Sequence, residues 1–193
     1  MKPIPFWLDR EREVSFGALQ SNHDFEVAIV GAGIAGLQAA FLCCVASGLR
    51  VAVLEARQIG LQACGRSTAK VTSQHGFEYA SLIRNFCQEG AKLYAAANEK
   101  AKEKIAALCS AMADRANLEA KPAFVHAEDK QQAEKFRRKA DAGASLGSRR
   151  ILVRCGPARG PTGALRFSGQ YQFDPYLDLC GLARLVSDST KHA

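Results

Sequence analysis

Residues Phe25 to Ala40 read FEVAIVGAGIAGLQAA, and most of the architecture can be inferred from this stretch. Its first part, Phe25 to Val30, is an apolar run typical of a buried parallel strand. Gly31, Gly33 and Gly36 follow at the G-x-G-x-x-G spacing, and the residues after them continue as a helix. The pattern therefore predicts a strand, a tight turn and a helix in direct succession.

The three glycines have different mechanical roles in such a turn. Gly31 permits the tight turn from strand to helix, and Gly33 leaves room for a pyrophosphate to approach bare backbone. Gly36 allows the helix to pack closely on the sheet. The helix N-terminus adds unpaired N–H groups and the positive end of the helix dipole, which both favour phosphate.

A second strand and an acidic residue complete the unit. Arg50 to Ala56 reads RVAVLEA and predicts a second buried strand, while Gly48 is placed to end the intervening helix. Glu55 ends this strand, close to the expected separation of about 20 residues from the last glycine. Its carboxylate can accept hydrogen bonds from both ribose hydroxyls of an adenosine and would repel a 2′-phosphate. We predict a dinucleotide site; the alternative is a glycine-rich turn in another kind of α/β protein.

The next segment resembles a family of flavoproteins. Residues 53 to 76, VLEARQIGLQACGRSTAKVTSQHG, resemble the FAD-dependent oxidoreductases of the D-amino-acid oxidase superfamily, especially its glycine/D-amino-acid oxidase-like and γ-glutamylputrescine oxidase-like members. These proteins follow the acidic strand end with a small-residue loop, often G-A-[ST]-G-R-[NS], along the ribityl chain and pyrophosphate of the flavin. The matching residues here are Ala63, Gly65, Arg66 and Ser67. Gln62 and Cys64 depart from the pattern, and we interpret Cys64 as a packing residue, with a reactive or flavin-linked thiol as the alternative.

The resemblance implies an FAD cofactor and a fold. The implied fold class is α/β, with a Rossmann-type FAD-binding βαβ unit that continues into an incomplete α+β substrate domain. The residues implied to contact FAD are Gly31, Ala32, Gly33, Ile34, Ala35, Gly36, Glu55, Ala56, Arg57, Ala63, Gly65, Arg66, Ser67 and Thr68. No catalytic residue is assigned, and no histidine or cysteine spacing indicates a metal site.

The resemblance also implies a reaction, the oxidation of a C–N bond in an amino acid or amine. Hydride would pass from the carbon beside the amine to flavin N5, and water would hydrolyse the resulting imine. The implied partners are a small-molecule amine or amino-acid substrate and an electron acceptor, which is oxygen, a quinone or a redox protein. Two alternatives stay open: a non-catalytic FAD-binding fragment, and an NAD-binding protein, which the Ala63–Ser67 loop disfavours.

Length and residue order predict three segments. Residues 1–24 form an N-terminal arm in which Phe6 and Trp7 pack on the flavin-binding portion, residues 25–76. Residues 77–193 form the helical and α+β portion of a substrate domain. The resembling enzymes are longer, and C-terminal strands with a second glycine-rich segment complete their flavin domain. In this chain of 193 residues we therefore expect a truncated product or, alternatively, a complementary C-terminal polypeptide.

Composition indicates which partners and which compartment to expect. The net charge is +7, but the basic residues are spread over predicted helices and turns without an RNP-like or zinc-finger pattern, so nucleic acid is not expected. The seven cysteines include no C-x-x-C pair, and the N-terminal residues lack the apolar segment of a signal peptide. We expect a cytoplasmic protein without a membrane span, since no run approaches about 20 apolar residues.

Helices and short strands are predicted beyond residue 77. Two helical stretches between Glu78 and Met112 are separated by a bend at Gln88–Gly90, with Leu82, Ile83 and Phe86 on one apolar face and Leu93 on the next. Asp174 and Pro175 predict the N-cap and first position of a helix that continues through Val186. A surface helix is predicted over Glu128–Ala142, and strands over Pro122–Ala127, Ile151–Arg154, Ala164–Phe167 and Gln170–Phe173.

Overall fold

A computed structural model describes residues 4–73, 75, 78–112, 116–127, 131, 150–153 and 163–190. The chain divides into two compact units. The first comprises Met1–Ala69, Cys109–Leu118 and Phe173–Ala193, and the second comprises Lys70–Leu108 and Glu119–Gln172. The functional division at residues 24 and 76 stays a prediction.

The described elements alternate between helices and short strands. The helices are α1 (Ile34–Ser47), α2 (Glu78–Ala111) and α3 (Pro175–Thr190). The strands are β1 (Val27–Val30), β2 (Val51–Leu54), β3 (Lys70–Val71), β4 (Glu119–Ala120), β5 (Ala123–Ala127), β6 (Arg150–Val153), β7 (Gly163–Phe167) and β8 (Tyr171–Gln172). None of the described helices combines the length and the apolar character that crossing a membrane requires.

The first unit contains the predicted Rossmann-type βαβ unit. β1 and β2 pair in parallel, from Val27 opposite Val51 to Val30 opposite Leu54. α1 connects them and ends at Gly48, which adopts a φ of 63° and donates its N–H to the Cys44 carbonyl. A left-handed residue at this position favours glycine because it has no Cβ. The predicted α/β fold class is therefore confirmed, although both strands are shorter than the apolar runs suggested.

The core of this unit lies on one face of the two-stranded sheet. Ala40 and Cys44 of α1, Val51 of β2 and Val186 of α3 are buried together. The opposite face is open among the described residues, and the Val30 side chain is 87% exposed. Helices therefore cover one face of the sheet, whereas a parallel sheet normally has both faces covered.

Asp174 connects α3 to the rest of the first unit. Its Oδ1 accepts hydrogen bonds from the N–H groups of Tyr176 and Leu177, at 3.0 Å each, which confirms the predicted N-cap. Its Oδ2 lies 2.8 Å from Arg10 Nη2, so the buried carboxylate has a cationic partner. α3 continues to Thr190, four residues beyond the predicted end at Val186.

The second unit holds most of α2 and two antiparallel sheets. α2 is interrupted at Phe86 and Cys87, where Cys87 has a φ of 58°. The bend was predicted at Gln88–Gly90, which is one residue beyond the observed interruption. The break changes the helical phase. Ala91 and Ala95 are consequently buried beside Leu82, Ile83 and Tyr94, while Phe86 and Leu93 are 64% and 74% exposed, contrary to the predicted apolar faces.

The two sheets confirm the α+β character predicted for this portion. Strand β8 lies between β3 and β4, and β7 lies between β5 and β6, with all pairs antiparallel. The four strands predicted in this portion are present, with ends shifted by at most one residue. The helix predicted over Glu128–Ala142 lies, apart from Gln131, outside the described residues.

A buried carboxylic acid lies in the first turn of α3. Asp178 is 2% exposed, and its Oδ1 accepts a hydrogen bond from Cys109 Sγ at 3.6 Å. Its Oδ2 has no hydrogen-bond partner among the described residues. Burial raises the pKa of Asp178 from 3.8 to about 6, because the charged form is poorly solvated there.

We expect Asp178→Asn to remove a pH dependence of stability. The folded-state pKa of about 6 exceeds the ordinary 3.8, so the folded chain holds a proton between these values that the unfolded chain has released. The stability contributed by this proton is fully present below pH 4 and lost as the pH rises through 6, about 3 kcal/mol in total. Asn does not titrate, so between pH 4 and pH 7 the stability of the variant relative to the parent should rise by most of that amount.

Urea unfolding at several pH values measures this difference. Asp188→Asn is the matched control because Asp188 is exposed on the same helix. A stability difference between the parent and Asp178→Asn that stays constant from pH 4 to pH 7 would contradict the raised pKa of Asp178.

Candidate dinucleotide-binding site

The turn between β1 and α1 has the geometry that the glycine spacing predicts. Gly31 adopts a φ of 105°, which L side chains rarely tolerate, and its N–H donates to the Leu54 carbonyl at 2.7 Å. Gly33 is the N-cap of α1 in an ordinary extended conformation, with φ −86° and ψ −177°. α1 therefore begins directly after the glycine turn. The N–H groups at the start of a helix have no partner within the helix.

Gly36 and Gly33 are small for different reasons. A Cβ on Gly36 would overlap the carbonyl oxygen of Gly31 and lie 3.3 Å from the side chain of Ile29. A Cβ on Gly33 would have only Cys64 Sγ nearby, at 3.7 Å. Gly36 is thus required by the packing of α1 on β1, whereas the space beside Gly33 is open toward the β2–β3 loop, residues 55–69.

Glu55 joins the end of β2 to the glycine turn. Its Oε2 accepts a hydrogen bond from the Ala32 N–H at 2.9 Å, and its Oε1 accepts one from the Arg57 N–H at 3.0 Å. A carboxylate offers about four acceptor positions. Each oxygen therefore keeps acceptor capacity for a ligand hydroxyl, while the carboxylate already fixes both loops.

The β2–β3 loop forms the opposite wall of the turn. Its middle is a short 3-10 helix at Cys64–Arg66, and Cys64 Sγ lies 3.4 Å from the N–H of Ile34, the first residue of α1. The Gly65 N–H donates to the Gly60 carbonyl, and Arg66 Nε donates to the Leu61 carbonyl, both at 3.0 Å. The loop is therefore folded on itself and faces the N-terminus of α1.

The structure brings some of the predicted site residues together and leaves others at the surface. The glycine turn, Glu55 and the loop lie beside one another through the contacts above. The predicted residues with exposed side chains are Ala35, Ala56, Arg57, Ala63, Arg66, Ser67 and Thr68. The contact between Cys64 and α1 was not predicted. Its signal in the sequence is the position of Cys64 in the loop, where the resembling family has a hydroxyl residue.

A cavity of about 840 Å³ adjoins Ala32 and Glu55. Its wall includes Leu37 of α1, the strand β2 and residues of the N-terminal arm such as Arg12. Apolar and charged residues both line it, and its volume lies within the range that is usual for small-molecule sites. Within the described part of the chain, no cluster of three or more His, Cys, Asp or Glu side chains could hold a metal ion.

Comparison with known proteins assigns this fold to a family. The family model described as DAO, FAD dependent oxidoreductase, matches residues 26–189. The chain is 31% identical over 176 residues to the YhfW protein of Bacillus subtilis (strain 168), which is named for a Rieske 2Fe-2S iron–sulfur centre. That match covers 90% of this chain and 34% of YhfW.

Solved structures share the fold at low sequence identity. Glycine oxidase from Geobacillus kaustophilus matches with a TM-score of 0.70 and 20% identity, over 88% of this chain and 46% of that one. L-amino acid deaminase from Proteus vulgaris matches with a TM-score of 0.69 and 16% identity, over 93% and 41%. L-proline dehydrogenase from P. horikoshii matches with a TM-score of 0.64 and 15% identity, over 88% and 43%. This chain therefore spans less than half the length of each of these proteins.

Two alanine substitutions in the turn should differ clearly in their effect on stability. Gly36→Ala places a methyl group on the Gly31 carbonyl, and we expect it to lower the free energy of unfolding by about 1–3 kcal/mol, as overpacking does. Gly33→Ala meets no close atom and has an ordinary backbone conformation, so it should leave stability nearly unchanged. Urea unfolding of both variants measures the difference; equal losses would contradict the close packing of α1 on β1.

Proposed function

Because the chain belongs to the DAO family of FAD-dependent oxidoreductases, whose model matches residues 26–189, we propose that it forms the nucleotide-binding part of an enzyme that oxidises the C–N bond of an amino acid or amine. FAD is the cofactor of this family. The observation that carries the proposal is the joint geometry of the glycine turn and Glu55, whose Oε2 lies 2.9 Å from the Ala32 nitrogen.

The residues of this site fit the adenosine and pyrophosphate half of FAD. The open space beside Gly33 admits a phosphate to the backbone, and the N-terminus of α1 provides N–H groups and a favourable dipole. Glu55 retains acceptor capacity for the ribose hydroxyls. The remaining proposed contacts, Ala56, Arg57, Ala63, Gly65, Arg66, Ser67 and Thr68, lie in the β2–β3 loop and support the same placement.

The proposed reaction belongs to the protein that contains this segment. When bound, FAD supplies the hydride acceptor, and the protein orients the donor carbon and excludes water. Glycine oxidase, L-amino acid deaminase and L-proline dehydrogenase are relatives by fold, which favours an amino acid as the substrate. We assign no catalytic residue within the described chain, since the proposed site holds only the nucleotide end of the cofactor.

The proposed enzyme needs walls around the flavin ring and an electron acceptor. Since the chain spans 34–46% of these relatives, the walls around the flavin ring would come from further sequence or from a complementary C-terminal polypeptide. As the electron acceptor we favour a redox protein or centre over oxygen or a quinone, because a relative with 31% identity is named for an iron–sulfur centre.

Anaerobic reduction of the flavin tests the proposed activity. A polypeptide of the relatives' length that carries this segment should purify with FAD, and glycine, L-proline or another amino acid or amine should bleach its absorbance. The 193-residue chain alone should bind FAD weakly and not bleach, because it lacks the positioning that can account for about 7–11 kcal/mol of a barrier. Re-oxidation should be faster with a one-electron acceptor such as ferricenium than with oxygen.

Substitutions in the glycine turn and the choice of ligand distinguish the proposed function from its alternatives. Gly33→Val should prevent FAD retention, while Ala39→Val, at an exposed position of the same helix, should not. If the polypeptide of the relatives' length bound FAD but no amino acid or amine bleached it, the non-catalytic alternative would be favoured. Binding of NAD in place of FAD would refute the proposed cofactor, and faster re-oxidation by oxygen would refute the proposed acceptor.

Glu55 should contribute to affinity through the ribose hydroxyls. A hydrogen bond to a charged group is worth about 1.5–3 kcal/mol, so Glu55→Ala should weaken ADP and FAD binding about ten- to a hundredfold. Titration calorimetry with ADP and 2′-deoxy-ADP measures the direct contact. The parent should prefer ADP, and Glu55→Ala should lose the preference; a variant that keeps it would show that Glu55 acts only by fixing the loops.

A further inference from the structure

The N-terminal arm is attached to the β2–β3 loop. Trp7 Nε1 donates a hydrogen bond to the Ser67 carbonyl at 3.1 Å. A Cβ on Gly65 would lie 2.8 Å from Leu8 Cδ2, so the Leu8 side chain presses directly on the loop backbone. Phe6, which was predicted to pack on residues 25–76 together with Trp7, is instead 77% exposed, and its ring centroid lies 4.9 Å from that of Trp7. Trp7 and Leu8 therefore make the contacts with the loop.

The arm is also attached to α3 by charged and polar contacts. Arg10 Nη2 lies 2.8 Å from Oδ2 of the buried Asp174, and the ion pair is largely shielded because the Asp174 side chain is 2% exposed. The Glu13 N–H donates to the Tyr176 hydroxyl at 3.3 Å, and Arg184 donates to the Glu13 carbonyl at 2.6 Å. Residues 10–13 are therefore held against the first turns of a buried helix, which is a rigid support.

The loop lies between this support and the N-terminus of α1. On one side, Tyr176 lies against Gly60, where an added Cβ would be 2.9 Å from its ring. On the other side, Cys64 Sγ accepts the Ile34 N–H at 3.4 Å. The loop is therefore held by contacts with both neighbouring elements, and its position depends on those contacts.

We propose that residues 6–13 of the N-terminal arm position the β2–β3 loop across the phosphate site, with Trp7 and Arg10 as positioning residues that act through the loop. This rests on the proposed function, in which the loop and the α1 N-terminus hold the pyrophosphate from two sides. Trp7 holds the loop backbone directly, and Arg10 holds the arm on Asp174. A loop that is ordered before binding loses less conformational freedom when the cofactor binds, which raises affinity.

Cysteine alkylation in the cofactor-free chain gives a direct readout of loop position. Iodoacetamide labelling followed by peptide mass spectrometry reports Cys64, with exposed Cys87 as the reference and buried Cys109 as the reporter of global unfolding. Trp7→Phe removes the indole N–H, and Arg10→Gln removes the charge. Both should accelerate alkylation of Cys64 severalfold while leaving Cys87 and Cys109 unchanged. Ile4→Ala, at an exposed position of the arm, is the control.

FAD titration of the same variants tests the link to the cofactor. Trp7→Phe and Arg10→Gln should weaken FAD binding about three- to tenfold, as expected when ordering of one or two side chains is lost. Arg10→Lys keeps the charge beside Asp174 and should restore most of the affinity. Unchanged Cys64 alkylation, accelerated alkylation of Cys109 together with Cys64, or FAD affinity equal to the parent would each overturn the proposal. A parent chain that binds no FAD would instead refute the proposed function on which it rests.

Discussion

The close packing of α1 on β1 is the constraint on which the candidate site depends. Gly36 lets the helix approach until its backbone is next to the Gly31 carbonyl, and the positive φ of Gly31 brings the chain into that helix within three residues. This geometry places the first N–H of α1, that of Ile34, against Cys64 Sγ of the β2–β3 loop. Glu55 then bonds to the Ala32 N–H, so the turn and the following loop are held at a defined separation.

Two buried carboxylates in α3 illustrate how burial and pairing lead to different behaviour. Asp174 accepts two backbone N–H groups and faces Arg10, so its charge is fully compensated. Asp178, one turn later, has only a weak thiol donor among the described residues, and burial raises its pKa to about 6. The first carboxylate stabilises the helix start and the arm, whereas the second is tolerated at a cost in stability at neutral pH.

The candidate site is built almost entirely from backbone groups and small residues. Such a site can hold the invariant phosphate and ribose parts of a dinucleotide, but it provides no group that would recognise a substrate side chain. Family membership therefore supports the cofactor more strongly than it supports any particular amine. The N-terminal arm adds support to this site, because it bonds to the Ser67 carbonyl of the β2–β3 loop and to the Asp174 carboxylate of α3.

Local rules were sufficient to predict the βαβ unit, the Gly48 cap and the Asp174 cap, because turn and cap geometry depends on residues only a few positions apart. The break in α2 was misplaced, since Gly90 stays helical and Cys87 takes the positive φ. The packing of Trp7 on residues 25–76 was predicted, but only the tertiary structure identified Ser67 as its partner and placed Cys64 against Ile34, contacts separated by 60 and 30 residues. The physical reason is that such contacts arise from the packing of whole elements, and no periodicity or spacing within one segment encodes which distant segment it will meet.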